Sequence, residues 1–316
     1  MARVTAPLAD MGAHFDFLAE DGRLPVRVTG RPSLAPLDWQ SPVASAQVKS
    51  ALLLAGVVGH AFVLVSEPRQ SRDHTERMLR SLGVSVIAHP VEDRWQVELR
   101  DPPERLDALD FEVPGDISSA AFLLALGALT EGEGIEVDRV GLNPTRTAFL
   151  DVLRRMGAAV EVEAGPEGSP EPWGRVAVRP TGLRATDIAE AEVPGLIDEI
   201  PLIAALAARA EGESRITGAA ELRHKESDRI TAVVENLRGL GVRAEELPDG
   251  MVIEGSDRPL AGRVACRGDH RIAMAFGVLS ALPGNSIHID EPEAADVSFP
   301  GFWDLLSTAA GNRRGS

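Results

Sequence analysis

The sequence contains very little cysteine and none of the common signatures of a metal or nucleotide site. Cys266 is the single cysteine among 316 residues, which excludes an internal disulfide and fits a reducing compartment. No group of cysteine and histidine residues has the spacing of a zinc site, and neither a GxGxxG nor a Walker A stretch is present. The sequence therefore indicates no metal, nucleotide or other cofactor.

Basic residues are also in the minority, and long apolar segments are absent. The formal net charge is −16, which argues against binding to nucleic acid or to an anionic membrane surface. The longest apolar stretch, residues 51–65, is interrupted by Gly56, Gly59 and His60 and is too short to span a membrane. The first residues lack the apolar core of a signal peptide. We expect a cytoplasmic protein in which any anionic ligand is held by a local cluster of cations.

A fourfold repeat is the most informative feature of the chain. Each copy begins beside a basic residue, carries apolar residues at helical spacing and reaches a glycine: RVTAPLADMG, HTERMLRSLG, RTAFLDVLRRMG and RITAVVENLRGLG. Gly12, Gly83, Gly157 and Gly241 are predicted to end these helices, because glycine adopts the left-handed conformation without the penalty of a Cβ atom. Residues that alternate as in a strand follow each glycine.

Each repeat also contains a second helix that is apolar on nearly every face, which predicts that it is buried. The four segments are PVASAQVKSALLLAG, PGDISSAAFLLALGAL, PGLIDEIPLIAALAA and RGDHRIAMAFGVLSAL. A short strand is predicted after each, so the repeat is helix, strand, strand, buried helix and strand in a mixed α/β fold. Polar residues recur where the buried helix starts, a position at which free N–H groups and the helix dipole favour an anionic ligand.

Candidate functional residues collect at these helix starts and in one strand-to-helix turn. They are Ser45, Gln47, Ser71, Arg72, Asp73, His74, Asp198, Glu199, His270 and Arg271. Each of them alone has an ordinary interpretation as a helix cap or a surface side chain. The occurrence of such polar residues at equivalent points of a repeat predicts instead that the helix starts converge on one cleft. The residues brought together there would be Ser45, Gln47, Ser71, Asp198, Lys225, Glu226, Arg229 and Arg271.

The stretch ELRHKESDRI, residues 221–230, is crowded with opposite charges directly before an apolar stripe. Its ordinary interpretation is a solvated first helical turn, in which acidic side chains favour the positive end of the dipole. Lys225 and Arg229 are four residues apart, so we predict that they share one helix face. With Arg271 they would bind anionic oxygens, while Asp198 and Glu226 would be available for proton transfer.

These motifs together resemble the 5-enolpyruvylshikimate-3-phosphate synthase (3-phosphoshikimate 1-carboxyvinyltransferase) family along the whole chain. The stretches that carry the resemblance are VASAQVKSALLLAG, SRDHTERML, LNPTRTAFLDVLRRMGA, LIDEIPLIAALAA, ELRHKESDRI, GDHRIAMAF and VSFPGF, in the family's order. The resemblance implies a two-domain inside-out α/β barrel of repeated βαβαββ units. It also implies transfer of the enolpyruvyl group of phosphoenolpyruvate to the 5-hydroxyl of shikimate 3-phosphate, without a metal or an organic cofactor.

The resemblance further implies a role for individual residues. The residues that match contacts to shikimate 3-phosphate are Ser45, Ala46, Gln47, Ser71, Asp198 and Lys225. The residues that match contacts to phosphoenolpyruvate are Gln47, Arg229 and Arg271. Asp198 matches the proton acceptor for the 5-hydroxyl, and Glu226 matches a partner in proton transfer to the methylene carbon. Further candidates are Arg72, His74 and His270.

Three positions depart from the pattern of some members of the family. His74 stands where some carry a tyrosine, Glu221 where some carry an asparagine, and Val297 where some carry a lysine. The sequence also lacks a stretch with a catalytic lysine, a glycine-rich loop and a further arginine with which family members begin. We therefore expect an incomplete first domain in residues 1–112 and a second domain in 113–316. The incomplete domain should leave apolar faces exposed near SALLLAGVV. Turnover should be impaired unless a separate N-terminal segment complements the chain.

Two other functions remain open from the sequence. One is UDP-N-acetylglucosamine enolpyruvyltransferase, although Cys266 lies beside GDHR and not in a catalytic-cysteine loop. The other is a non-catalytic remnant that binds shikimate 3-phosphate. A purely structural repeat protein gives no reason for Asp198, Lys225 and Arg271 to meet.

Overall fold

The computed structural model describes residues 1–31, 33–106 and 108–311, and it forms two compact units. The first unit is Met1–Val113 together with Gly168–Glu171, and the second is Pro114–Glu167 together with Pro172–Ser316. The elements of the first unit are α1 (Ala2–Asp10), β1 (His14–Phe17), β2 (Val26–Thr29), β3 (Leu37–Gln40), α2 (Ala46–Val58), β4 (Val63–Glu67), α3 (His74–Ser81), β5 (Ser85–Val91) and β6 (Arg94–Arg100).

The second unit continues the same order of elements. Its helices are α4 (Ile117–Leu129), α5 (Ala148–Arg155), α6 (Val193–Leu196), α7 (Ile200–Ala207), α8 (Arg229–Gly239), α9 (His270–Ser280) and α10 (Phe302–Gly311), with 3-10 turns at Ala220–His224 and Pro292–Val297. Its strands are β7 (Ile135–Gly141), β8 (Ala159–Ala164), β9 (Trp173–Arg179), β10 (Glu213–Ile216), β11 (Arg243–Leu247), β12 (Gly250–Glu254), β13 (Ala261–Val264) and β14 (Ser286–Ile289). The predicted mixed α/β fold with its repeated order of elements is confirmed.

The strands form small open sheets. The four-stranded sheet of the first unit has the order β3, β4, β6, β5, and the three-stranded sheets of the second unit have the orders β7, β9, β8 and β10, β12, β11. Two parallel pairs, β3 with β4 and β13 with β14, are each connected through a buried helix of the repeat. Among the residues described, none of these sheets closes into a barrel.

The glycine that follows the first helix of each repeat is in the left-handed region, as predicted. Gly12, Gly83, Gly157 and Gly241 have φ angles of 105°, 79°, 98° and 87°. Each lies one residue after the residue that caps its helix, and the strand begins within a few residues. The glycines therefore turn the chain from the helix to the sheet at the same point of every repeat.

The buried helices of the second unit make up its core. Every residue of α7 is buried, and α4 and α9 are buried along most of their length. Phe122 of α4 packs edge-to-face against Phe302 of α10, with 5.8 Å between ring centroids. The stripe of α8 that the sequence predicts, Ile230, Val233, Val234 and Leu237, is buried as well. This core fixes the starts of α4, α7, α8 and α9 with respect to one another.

The prediction that α2 is a buried helix is wrong for one of its sides. Leu52, Leu53 and Val57 face the core of the first unit, but Leu54 is 44% exposed and Val58 is 81% exposed. No described element of the first unit covers that side of the helix. The predicted exposure near SALLLAGVV is confirmed at these two positions.

Candidate active site

Three helix starts of the second unit carry the charged candidates. Asp228 caps α8 by accepting a hydrogen bond from the amide of Thr231 at 3.1 Å, so the helix begins at Arg229. Asp269 caps α9 and accepts from the amide of Arg271 at 3.0 Å. Glu199 occupies the cap position of α7, directly after Asp198.

The guanidinium of Arg229 is the centre of the cluster. The residue is 1% exposed, and its Nε donates to Asp269 Oδ2 at 2.8 Å while Nη2 donates to Oδ1 at 3.2 Å. Nη2 also donates to Glu226 Oε2 at 2.6 Å, and Nη1 lies 4.0 Å from Asp198 Oδ1. A single buried guanidinium therefore lies within 4.0 Å of three carboxylates, and two of these belong to the predicted proton-transfer residues.

Asp269 holds this arginine in place. Its carboxylate is fully buried and also accepts from Ser227 Oγ at 3.0 Å. Burial acts to raise the pKa of Asp269, but the hydrogen bonds and charge of Arg229, with those of Ser227 and the Arg271 amide, outweigh it and set the pKa below its ordinary value. The carboxylate is thus stabilised as an anion inside the core.

Arg271 lies beside the same turn. Its Nη1 donates to the backbone oxygen of Asp198 at 2.9 Å and lies 3.5 Å from Glu199 Oε1. The side chains of Arg271 and Asp198 are 14% and 20% exposed, so both reach the surface of the unit. The second predicted anion-binding arginine therefore contacts the residue predicted to accept a proton.

Glu199 is a buried neighbour that the sequence indicated without assigning it a role. It is 3% exposed and accepts a hydrogen bond from Ser118 Oγ at the start of α4. Burial raises the pKa of Glu199 above its ordinary value, although the positive charges of Arg271 and Arg146 act in the opposite direction.

Arg146 is a further cation that the sequence did not single out. Its Nη1 lies 3.8 Å from Asp198 Oδ2, and its Nη2 lies 3.6 Å from Asp116 Oδ1 at the cap of α4. Its side chain is only 10% exposed. Asp198 thus lies among Arg146, Arg229 and Arg271, an arrangement that stabilises negative charge at this point.

The prediction that Lys225 and Arg229 share a helix face is wrong. Because Asp228 is the cap, α8 starts at Arg229 and Lys225 lies outside it, at the end of the 3-10 turn. Lys225 Nζ pairs with Glu221 Oε1 at 3.1 Å. Lys225 is still half-buried and directly precedes Glu226 in the chain, so it remains next to the cluster.

His270 occupies the first position of α9 and is half-buried. Burial lowers its pKa, and the positive charge of Arg271 lowers it further, against the carboxylates of Asp269 and Glu226. The neutral imidazole is thus the favoured form at neutral pH.

The remaining candidates lie in the first unit, at the starts of α2 and α3. Ser45 caps α2, its Oγ accepting from the amide of Val48 at 3.5 Å, and Ala46 and Gln47 form the first turn. Gln47 is exposed, whereas Ala46 is half-buried.

Ser71 is held by Glu67 at the end of β4. The amide and Oγ of Ser71 donate to Glu67 Oε1 at 3.0 and 2.9 Å. Arg72 is half-buried in the same turn, and His74 Nδ1 pairs with Glu171 Oε1 at 2.8 Å.

The structure therefore brings Asp198, Glu226, Arg229 and Arg271 into one contact network. In the other unit it places Ser45 and Gln47 at the start of α2 and Ser71 in the turn between β4 and α3. The residues of the network that sequence reasoning missed are Asp116, Ser118, Arg146 and Asp269. Asp269 could have been found, because a carboxylate directly before an apolar helix is a typical cap and is close to that helix's first-turn arginine. Arg146 opens the third repeat as Arg229 opens the fourth, which is the one signal in the sequence, but only the tertiary fold reveals that it lies near Asp116 and Asp198.

No group of three or more histidine, cysteine, aspartate or glutamate side chains among the described residues could hold a metal ion. Within the same residues, the helices are all too short or too polar to cross a bilayer. A cavity of about 660 Å³ in the second unit lies near Arg209, Gly255 and Arg258 and contains none of the candidate residues.

Comparison with known proteins identifies the family. The model of the EPSP synthase (3-phosphoshikimate 1-carboxyvinyltransferase) family matches residues 1–306. Proteins named 3-phosphoshikimate 1-carboxyvinyltransferase from Bacillus licheniformis and Bacillus subtilis are each 45% identical, over 98% and 97% of this chain and 71% of their own lengths. The structure of EPSP synthase from Acinetobacter baumannii matches with a TM-score of 0.84 and 38% identity, over 98% of this chain and 70% of that one. The chain therefore belongs to the EPSP synthase family.

Proposed function

We propose that this protein transfers the enolpyruvyl group of phosphoenolpyruvate to the 5-hydroxyl of shikimate 3-phosphate and releases phosphate. The observation that carries the proposal is the buried Arg229, whose guanidinium lies within 4.0 Å of carboxylate oxygens of Glu226, Asp269 and Asp198. Two anionic substrates need fixed cations, and an addition followed by an elimination needs carboxylates that move protons. The names of the relatives favour this reaction over the UDP-N-acetylglucosamine alternative.

The proposed chemistry has two stages. In the first, the 5-hydroxyl oxygen bonds to C2 of phosphoenolpyruvate, its proton passes to Asp198, and C3 gains a proton with the participation of Glu226. In the second, the tetrahedral adduct loses phosphate from C2 and a proton from C3, which restores the double bond in the product. Arg229 and Arg271 bind the carboxylate and phosphate of phosphoenolpyruvate in both stages, with Lys225 on shikimate 3-phosphate.

The different exposures of the carboxylates around Arg229 support the role proposed for Glu226 in proton transfer. Asp269 is fully buried and stays with the arginine, whereas the side chain of Glu226 is 50% exposed. Glu226 can therefore leave Arg229 at little cost when the anion of phosphoenolpyruvate arrives. The movement would free its carboxylate for proton transfer.

The first unit is proposed to supply contacts to shikimate 3-phosphate from Ser45, Ala46, Gln47 and Ser71, with Gln47 also contacting phosphoenolpyruvate. Ser45 and Gln47 lie at the start of α2, where unpaired amide groups favour an anion. Arg72, His74 and His270 are proposed as further contacts. The reaction as proposed uses no metal and no organic cofactor, and we propose the cytoplasm as its location.

Product formation tests the proposal. The protein is incubated with phosphoenolpyruvate and shikimate 3-phosphate, and the enolpyruvyl product is measured by mass spectrometry under single-turnover conditions. We expect product from the wild type, at least a hundredfold less from Asp198→Asn, and no loss from the surface control Asp151→Asn. Product from UDP-N-acetylglucosamine, or none from either acceptor, would contradict the assignment.

We also propose that the exposed side of α2, marked by Leu54 and Val58, binds a complementing N-terminal segment. The apolar side chains at these positions are 44% and 81% exposed, and the chain matches 71% of the length of its relatives. Added as a peptide, the part of the Bacillus subtilis relative that this chain does not match should raise single-turnover product yield. Val58→Glu should abolish that increase without altering the yield of the chain alone, whereas an equal response of the variant would refute the docking site.

A further inference from the structure

A buried chain of polar contacts joins three helix starts of the second unit. Ser118 lies in the first turn of α4, Glu199 is the cap residue of α7, and Arg271 lies in the first turn of α9. Ser118 Oγ donates to Glu199 Oε1, and the same oxygen lies 3.5 Å from Arg271 Nη1. Each of these helices is the buried helix of a different repeat.

The contact to Glu199 fixes one end of the Arg271 guanidinium. Nη1 lies between the Glu199 carboxyl and the backbone oxygen of Asp198, which it contacts at 2.9 Å. Within the described residues, both side-chain contacts of Arg271 use Nη1. The edge formed by Nε and Nη2 is then oriented for the two-point binding of a carboxylate or phosphate that suits arginine.

Burial of Glu199 carries a cost that a cap alone does not explain. The residue is 3% exposed, and no hydrogen bond from its own helix reaches its side chain. An ionisable group persists in such a place when its partners compensate for the loss of water. Here the partners are a serine from one repeat and the arginine of another, which indicates a role in orienting that arginine.

We propose that Glu199, supported by Ser118, is a positioning residue that sets the direction of Arg271 for binding the anionic groups of phosphoenolpyruvate. The identity of the ligand rests on the proposed function, but the positioning of the arginine does not. Glu199 makes no contact with the substrate in this proposal. Its effect is expected on the affinity for phosphoenolpyruvate and not on the affinity for shikimate 3-phosphate.

The first arm of the test observes the arginine directly, without any ligand. The Nε–Hε resonance of Arg271 is assigned in 1H–15N spectra by its disappearance in Arg271→Lys, and its exchange with water is measured. We expect faster exchange in Glu199→Gln and Ser118→Ala, and no change in Glu254→Gln, an exposed glutamate of β12 in the same unit. An unchanged Arg271 signal in both folded variants overturns the proposal, whatever the protein binds.

The second arm measures dissociation constants by calorimetry. Glu199→Gln should weaken phosphoenolpyruvate binding about tenfold, as expected for one lost charge-assisted contact, and leave shikimate 3-phosphate binding unchanged. In an Arg271→Lys background the same substitution should have no further effect, because its influence passes through the arginine. Equal losses for both ligands, or additive losses, indicate a merely structural residue. Failure of the wild type to bind either ligand refutes the proposed function, while the first arm still decides the positioning role.

Discussion

At the scale of single residues, the carboxylates of the second unit have different tasks because their surroundings differ. Asp269 is sealed in the core against Arg229, Glu226 is half exposed on the same arginine, and Asp198 lies among several cations. Residue type alone does not distinguish the roles of these three carboxylates. The number of partners and the access to water determine which carboxylate holds the arginine and which can move.

Removing the charge of Asp269 should destabilise the protein strongly. Asp269→Asn leaves the buried guanidinium of Arg229 without its two-point partner, and breaking such a pair costs about 3 to 5 kcal/mol in the free energy of unfolding. Urea unfolding followed by circular dichroism measures the loss. Asp304→Asn, at an exposed position of α10, is the matched control and should change stability by less than about 0.5 kcal/mol. Equal effects of the two substitutions would rule out the buried pair.

The pH dependence of stability should reveal Glu199. Burial raises its pKa in the folded state above the value of about 4.3 expected in the unfolded chain. The folded state therefore binds the proton more tightly, and the stability that this provides is fully present below about pH 4.3 and is lost as the pH rises through the raised pKa. Glu199→Gln should remove this decrease in the free energy of unfolding at higher pH. If the free energies of unfolding of wild type and variant differed by the same amount at every pH from 4 to 8, the raised pKa of Glu199 would be contradicted.

Much of this residue-level picture follows from the sequence, and part of it does not. Asp198, Glu226, Arg229 and Arg271 could be selected because they recur at helix starts and match a family pattern. Arg146 and Ser118 could not, since they are far from the cluster in sequence and only the packing of α4 and α5 brings them close. Local patterns report local structure, whereas contacts between repeats depend on the tertiary fold.

At the scale of elements, caps and glycines determine where each helix starts and ends. The wrong prediction at Lys225 has this origin. A spacing of four residues implies a shared face only inside one helix, and the Asp228 cap makes α8 begin at Arg229, four residues after Lys225. The glycine prediction succeeded at all four copies because positive φ is a local property of the chain. The burial prediction failed for α2 because burial depends on which elements are present to cover a face.

Two glycines at the C-terminal end of α8, one inside the helix and one after it, test where this helix ends. Gly241 has a φ of 87° after the helix, whereas Gly239 is the last helical residue, and a Cβ atom at either position would meet nothing within 4 Å. Gly241→Ala should cost about 1 to 2 kcal/mol through the left-handed conformation. Gly239→Ala should stabilise by about 0.5 to 1 kcal/mol through helix propensity. Thermal unfolding of both variants measures the difference, and changes of the same sign would contradict the assigned helix end.

At the scale of the whole molecule, the two units differ in how well their helices are covered. Every residue of α7 is buried in the second unit, while α2 of the first unit leaves Leu54 and Val58 open to water. Apolar surface that stays exposed contributes nothing to folding. The two units are therefore expected to differ in stability although they are built from the same repeat.

Hydrogen exchange should show this difference in stability. Amides of α2 and α3 are expected to exchange at least tenfold faster than those of α7 and α9, because local opening is easiest where few apolar contacts are lost. Mass spectrometry of proteolytic fragments gives the rates. Equal protection of the four helices would mean that the exposed side of α2 does not weaken its unit.

The central claim is that the carboxylates and arginines gathered around Arg229 form an anion site for the proposed substrates, and 31P NMR tests it most directly. The phosphorus resonances of phosphoenolpyruvate and shikimate 3-phosphate are followed during titration with wild-type protein and with Arg271→Gln. The account predicts that the wild type perturbs both resonances and that the variant perturbs only that of shikimate 3-phosphate. Two undisturbed resonances, or an undiminished response of phosphoenolpyruvate to the variant, would contradict it.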